Sequence, residues 1–168
     1  MKKGFVLVLS LVMLITVGVN AQTALPKGES QINFGVGFSS RGIPVYFGVD
    51  HAIHKNVTLG GEISYRGYNE KYNNERYKHN VFGVSGNINY HFNTVLKIPS
   101  NWDFYAGANV GFFTWSSPDD YRGNNTTGLG LGGQVGGRYF FSKNTGINLE
   151  FGGGNAFSGG KLGLTIKL

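Results

Sequence analysis

From Gln31 to Leu168 apolar and polar residues alternate in long runs, broken by clusters of Gly, Asn, Ser and Asp, with no sustained 3.6-residue period. Such alternation puts successive side chains on opposite faces of an extended strand, so the chain is committed to β-structure with two unlike faces. Eight runs can be delimited: Gln31–Ser39, Ile43–Ile53, Val57–Tyr68, His79–Phe92, Trp102–Trp115, Thr127–Phe141, Gly146–Ala156 and Lys161–Leu168. Turns or loops are expected at Ser40–Gly42, His54–Asn56, Asn69–Lys78, Asn93–Asn101, Ser116–Asn125, Ser142–Thr145 and Phe157–Gly160. The expected topology is a simple antiparallel meander without helices. Many of the runs are nine to fourteen residues long. Strands of soluble sheets average about 5–6 residues, whereas a tilted strand that crosses a bilayer needs about 9–11.

Alternation does not say which face is inside; the chemistry of the polar face does. It carries Asn33, Tyr46, Asp50, Glu62, Arg66, Asn87, Asn89, Asp103, Asn109, Gln134, Arg138, Glu150, Lys161 and Lys167, with many glycines between them. Only 14% of the chain is charged, against about a quarter in ordinary soluble domains. That is a poor surface for water. The charges on this face also balance: Asp50, Glu62, Asp103 and Glu150 against Arg66, Arg138, Lys161 and Lys167. An eight-stranded barrel is just wide enough for side chains to fill its interior. A crowded, charge-neutral polar face fits that lumen, and the apolar face then meets lipid.

Within the lumen, Asp50, Glu62, Arg66, Arg138 and Glu150 are expected to form a charge network. If the hairpin of the sixth and seventh runs pairs Phe141 with Ile147, Arg138 faces Glu150 directly, while Glu62 and Arg66 share one inward row. On the apolar face Tyr90, Phe92, Trp102, Phe104, Tyr139 and Phe141 gather near one set of strand ends, as an aromatic girdle would. Phe38, Tyr65, Phe82 and Phe112 lie near the other ends. With both termini on the girdle side, two of the loops on the far side are long and polar. These are Asn69–Lys78 and Ser116–Asn125, which offer Tyr72, Tyr77 and Tyr121 among charges of both signs for contact with a partner or with lipopolysaccharide.

The first residues read differently. Met1-Lys2-Lys3 is a short basic segment, Gly4–Val19 is almost uninterruptedly apolar, and Val19-Asn20-Ala21 has the small-x-small form of a cleavage site. Residues 1–21 are therefore expected to be a secretory signal peptide, and 22–168 one barrel domain. The chain has no cysteine, so disulfides do not hold it together. Its basic residues are scattered despite a net charge of +6, which indicates no nucleic-acid surface.

No catalytic pattern emerges. A hydroxyl nucleophile needs a base in hydrogen-bond reach, and none of His51, His54, His79 and His91 is followed two positions later by serine. His51 and His54, three apart on a strand, point to opposite faces and do not make a metal pair. The glycine-rich stretches GLGLGG and GGGNAFSGG open no helix, so no phosphate loop is expected. Asp119 and Asp120 read as solvated loop residues. The expectation is a non-enzyme without cofactor or metal.

The Ala21-Gln22 cleavage point, the eight-run meander, the hairpin GGRYFFSKNTGINLEFGGG and the final strand KLGLTIKL together resemble the small OmpX/OmpA-type outer-membrane barrels, especially the short single-domain ones of Bacteroidota. The resemblance spans the whole chain after residue 21. It implies an all-β, eight-stranded antiparallel up-and-down transmembrane β-barrel in the cell outer membrane, with both termini in the periplasm. It also implies contact with outer-membrane lipid and lipopolysaccharide, and a C-terminal strand read by the outer-membrane barrel assembly machinery. Members usually end in an aromatic residue; Leu168 departs from that, although Leu162, Leu164, Ile166 and Leu168 keep the alternation. The function expected is non-enzymatic, in envelope structure or surface interaction through extracellular loops. The alternatives are a small passive porin-like channel and a soluble secreted barrel that binds an apolar ligand.

Overall fold

The computed structural model describes residues 25–39, 42–72, 75–118, 127–154 and 158–168. The expected signal peptide and Tyr121 lie outside them, as does the side chain of Tyr72. Eight strands form one closed antiparallel barrel in sequence order: β1 (Ser30–Ser39), β2 (Val45–His54), β3 (Val57–Tyr72), β4 (Glu75–His91), β5 (Trp102–Ser116), β6 (Gly128–Phe140), β7 (Thr145–Gly154) and β8 (Ser158–Lys167). β1 and β8 close the wall through the pairs Gln31↔Lys167 to Ser39↔Gly159. Closure leaves no unpaired sheet edge along the wall.

The burial pattern is inverted relative to a water-soluble protein. Outward positions hold exposed Val, Ile, Leu and Phe along every strand, up to Leu129 at 72%. Inward positions hold the buried polar groups, among them Gln31, Asp50, Thr58, Asn89, Asp103, Arg138 and Thr165. Soluble domains rarely expose contiguous apolar areas of this extent or bury charge without strong pairing. Glycine makes room inside: a Cβ on Gly136 would collide with the ring of Tyr105 on the neighbouring strand, so only glycine lets that ring lie flat across the lumen.

Three local expectations need correction. Asn69–Lys78 is not a loop; the β3–β4 ladder continues through Asn69↔Lys78, Glu70↔Tyr77, Lys71↔Arg76 and Tyr72↔Glu75. Apolar alternation stops there because a ribbon wetted on both faces has no apolar side, while its backbone bonds continue unchanged. Second, Asn93–Asn101 includes a single helical turn, α1 (Asn93–Leu96), closed by Leu96 N donating to Phe92 O at 2.9 Å and ended by Lys97 at φ 52°. One turn is too short to show a period. Third, β6 and β7 pair Tyr139 with Ile147, Arg138 with Asn148 and Gly136 with Glu150. Arg138 therefore does not face Glu150. A slip of two residues keeps every side chain on its own face, so the hydrophobic pattern is blind to it.

Candidate functional site: two ion layers in the lumen

Toward the end of the barrel that carries the termini, Arg138 on β6 reaches two strands at once. Its Nη2 donates to Asp50 Oδ2 on β2 at 2.8 Å, and its Nη1 to Asp103 Oδ2 on β5 at 2.8 Å. Asp50 Oδ2 also accepts from Gln31 Nε2 at 3.1 Å and Asn33 Nδ2 at 2.9 Å. The face of Tyr105 covers the guanidinium, 4.3 Å from ring centre to Cζ. Arg138 is 2% exposed, so this charge is tolerable only because both carboxylates and the ring surround it.

On the other side of Asp103, His91 Nδ1 lies 2.7 Å from Oδ1, and His91 Nε2 lies 3.0 Å from Thr58 Oγ1. A carboxylate only accepts, so Nδ1 is the donor. Hydroxyl, imidazole and carboxylate thus stand in the order used by hydrolytic triads. Yet Thr58 is 1% exposed, and the second oxygen of Asp103 is taken by Arg138. The row links β3, β4 and β5 with its hydroxyl closed off from solvent.

Farther along the lumen, Lys161 on β8 makes a second layer. Its Nζ donates to both oxygens of Glu62 at 2.7 Å and lies 3.1 Å from Glu150 Oε1. Tyr105 joins the layers: while its face covers Arg138, its hydroxyl donates to Glu150 Oε2 at 2.8 Å. A second link runs from Tyr46 OH to Asn148 Oδ1 (2.8 Å), from Asn148 Nδ2 to Thr165 Oγ1 (3.2 Å) and from Thr165 Oγ1 to Asn33 Oδ1 (2.7 Å). Gln134 crosses between these rows, donating to Asn89 Oδ1 at 2.7 Å and accepting from Asn109 Nδ2.

Of the five lumen charges singled out in the sequence, Asp50 and Arg138 sit in the first layer, and Glu62 and Glu150 in the second. Arg66 lies apart, its Nη1 3.4 Å from Ser39 Oγ. Asp103, Lys161, Tyr105, Thr58 and His91 complete the network. All of them occupy inward parity, which was the available signal; their partners across the lumen had none.

Above Lys161 the lumen opens into a solvent-connected cavity of about 50 Å³. Phe38, Pro44, Val81 and Phe113 wall it, and Tyr46, Glu62, Glu150 and Lys161 form its floor. Between the layers the cavity is only about 20 Å³. Among the described residues no group of three His, Asp or Glu side chains is placed to hold a metal ion.

Outside the wall, Trp102 stacks on Phe104 at 5.5 Å and meets Tyr139 at 4.8 Å, and Tyr90 meets Phe92 edge-on at 5.4 Å. Phe141 is exposed beside them. On the projecting ribbon, Tyr77 OH donates to Glu75 Oε2 at 2.8 Å, and Tyr68 stacks on His79 at 5.1 Å.

No family model matches the chain, and no curated protein matches it in sequence. Solved structures match it in fold. The outer membrane protein OprG from Pseudomonas aeruginosa superposes with a TM-score of 0.64 at 9% identity, over 86% of this chain and 97% of that one. The N-terminal β-barrel domain of Pseudomonas aeruginosa OprF gives 0.58 at 13% identity, over 84% and 98%. A de novo designed transmembrane β-barrel gives 0.52 at 18% identity, over 85% and 98%. The fold is that of the eight-stranded outer-membrane barrels. A barrel designed from nothing shares it, so the fold alone assigns no activity.

Proposed function

We propose that the protein is an integral, non-enzymatic outer-membrane barrel whose lumen is braced shut and whose outer end meets the surroundings of the cell. The observation that carries this reading is the inverted burial: an apolar exterior all around a closed wall, with charge sealed inside in paired layers. Residues 1–21 serve export and are removed, the termini lie in the periplasm, and the outer leaflet supplies lipopolysaccharide. The final strand, Ser158–Lys167, is the segment offered to the barrel assembly machinery. Surface contact falls to the β3–β4 ribbon, where Tyr77 stands among Glu70, Lys71, Glu75, Arg76 and Lys78, and to the connection at Ser116–Asn125 that carries Tyr121.

Heat-modifiability tests the barrel: the unboiled protein should migrate differently from the boiled one on a detergent gel. Recovery from the soluble periplasm without detergent would sink this reading and favour a secreted barrel for an apolar ligand. A second reading, a narrow passive channel, draws on the open outer cavity above Lys161. It requires single-channel steps in planar bilayers, whereas the braced lumen predicts a tight seal at all voltages.

A further inference from the structure

The two ends of the barrel differ in the sign of their charge. The projecting β3–β4 ribbon mixes Glu70, Lys71, Glu75, Arg76 and Lys78. The end that carries the termini is, among the described residues, predominantly of one sign. Lys55 stands in the β2–β3 turn, Lys97 in the β4–β5 connection and Lys143 in the β6–β7 turn, with Lys27 before β1; Lys167 at the end of β8 instead lies over the ring of Phe140, 3.9 Å from its centre. Every connection at this end thus carries a lysine. Among the described residues only one exposed side-chain carboxylate, Glu29, stands with them; Asp50 and Asp103 are buried and held by Arg138.

The three lysines of the connections each have an exposed apolar residue within two positions: Ile53 precedes Lys55, Leu96 precedes Lys97 and Phe141 precedes Lys143. In the β4–β5 connection α1 presents Val95 and Leu96, 62% and 64% exposed, directly before Lys97. The girdle of Trp102, Phe104 and Tyr139 lies just above this rim on the wall. An apolar wall at the depth of the acyl chains, such as Val135 and Leu149, an aromatic girdle at the boundary and ammoniums beyond it follow the vertical order of a lipid headgroup region.

We infer that this rim is a docking ring for anionic phospholipid, with Lys55, Lys97, Lys143 and their neighbours holding headgroup phosphates of the leaflet that faces the termini. The inference rests on the membrane-inserted barrel proposed above. Charge complementarity selects the occupant. An ammonium close to an anionic leaflet gains enough to favour an acidic over a zwitterionic lipid by about fivefold per lysine, and salt weakens the attraction as it does any exposed charge pair.

Trp102 is a built-in reporter. The sequence has two tryptophans, so Trp115→Phe leaves one, on the girdle between the connections that carry Lys97 and Lys143. In vesicles of phosphatidylcholine mixed with phosphatidylglycerol, either lipid can carry brominated chains that quench tryptophan on contact. Brominated phosphatidylglycerol should quench Trp102 more strongly than brominated phosphatidylcholine at equal mole fraction. The preference should fall severalfold in Lys97→Gln/Lys143→Gln and in about 0.5 M salt, and persist in Lys78→Gln on the far end. Equal quenching by the two lipids would overturn the ring while leaving the barrel intact; an acidic glycan or protein as the true partner would give that result. A preference that survives in the double variant would overturn it too. Quenching by neither lipid would remove the insertion itself, and the ring with it.

Discussion

The two ion layers of the lumen share one formula, a cation under a tyrosine ring, and differ in how dry they are. In each, a single cation holds two carboxylates from different strands: Arg138 with Asp50 and Asp103, Lys161 with Glu62 and Glu150. The arginine layer is sealed, its side chains 1–5% exposed, while those of the lysine layer are 14–20% exposed beneath the outer cavity. A planar guanidinium aims separate donors at two acceptors and lies flat under an aromatic ring. A compact ammonium is well hydrated and turns freely, and it stands where water can reach. The pairing of Arg with the dry layer and Lys with the wetter one follows from how strongly each group holds its own hydration.

That contrast sets the order of expected losses. Arg138→Leu leaves Asp50 and Asp103 buried against no cation and should destabilise the barrel by about 3–5 kcal/mol. Urea unfolding of the protein in bilayers measures it. Adding Asp103→Asn should recover part of the loss and adding Glu150→Gln none; the reverse ranking would mean that the layers are assigned to the wrong partners. Lys161→Met should cost less, about 2 kcal/mol, because Glu62 and Glu150 can draw on water from the cavity. If it cost as much as Arg138→Leu, exposure would not be what separates the layers. Tyr105→Phe removes only the hydroxyl that joins them and should cost about 1 kcal/mol. A double-mutant cycle between Tyr105→Phe and Lys161→Met should then show coupling, and strict additivity would mean that the layers act independently.

The division into two faces was legible from residue parity, which survives any even slip of register, and the sparse, balanced charges of the polar face told which of the two is inside. Asp50, Glu62, Arg138 and Glu150 were placed on the inner face for that reason. Their pairing across the lumen was not legible, although Asp103 and Arg138, and Glu150 and Lys161, stand directly opposite each other on neighbouring strands. Arg138 and Asp50 lie 88 residues apart on β6 and β2, and Lys161 and Glu62 lie 99 apart on β8 and β3. Side-chain reach across the lumen, not the ladder, decides such contacts, and alternation carries no information about it. The ribbon beyond Tyr68 was missed for the opposite reason: its ladder is regular, but with water on both faces its sequence resembles a loop.

The link from Tyr46 to Asn148 joins residues 102 positions apart, and that from Thr165 to Asn33 joins residues 132 apart. Neither can exist before β8 meets β1 and the cylinder is shut. The network is therefore a clasp, fastened after the hoop has closed. Interactions absent from the folding transition state do little for the rate of assembly but slow escape from the native state. Loosening this clasp should shorten the lifetime of the finished barrel and leave the time needed to build it nearly unchanged.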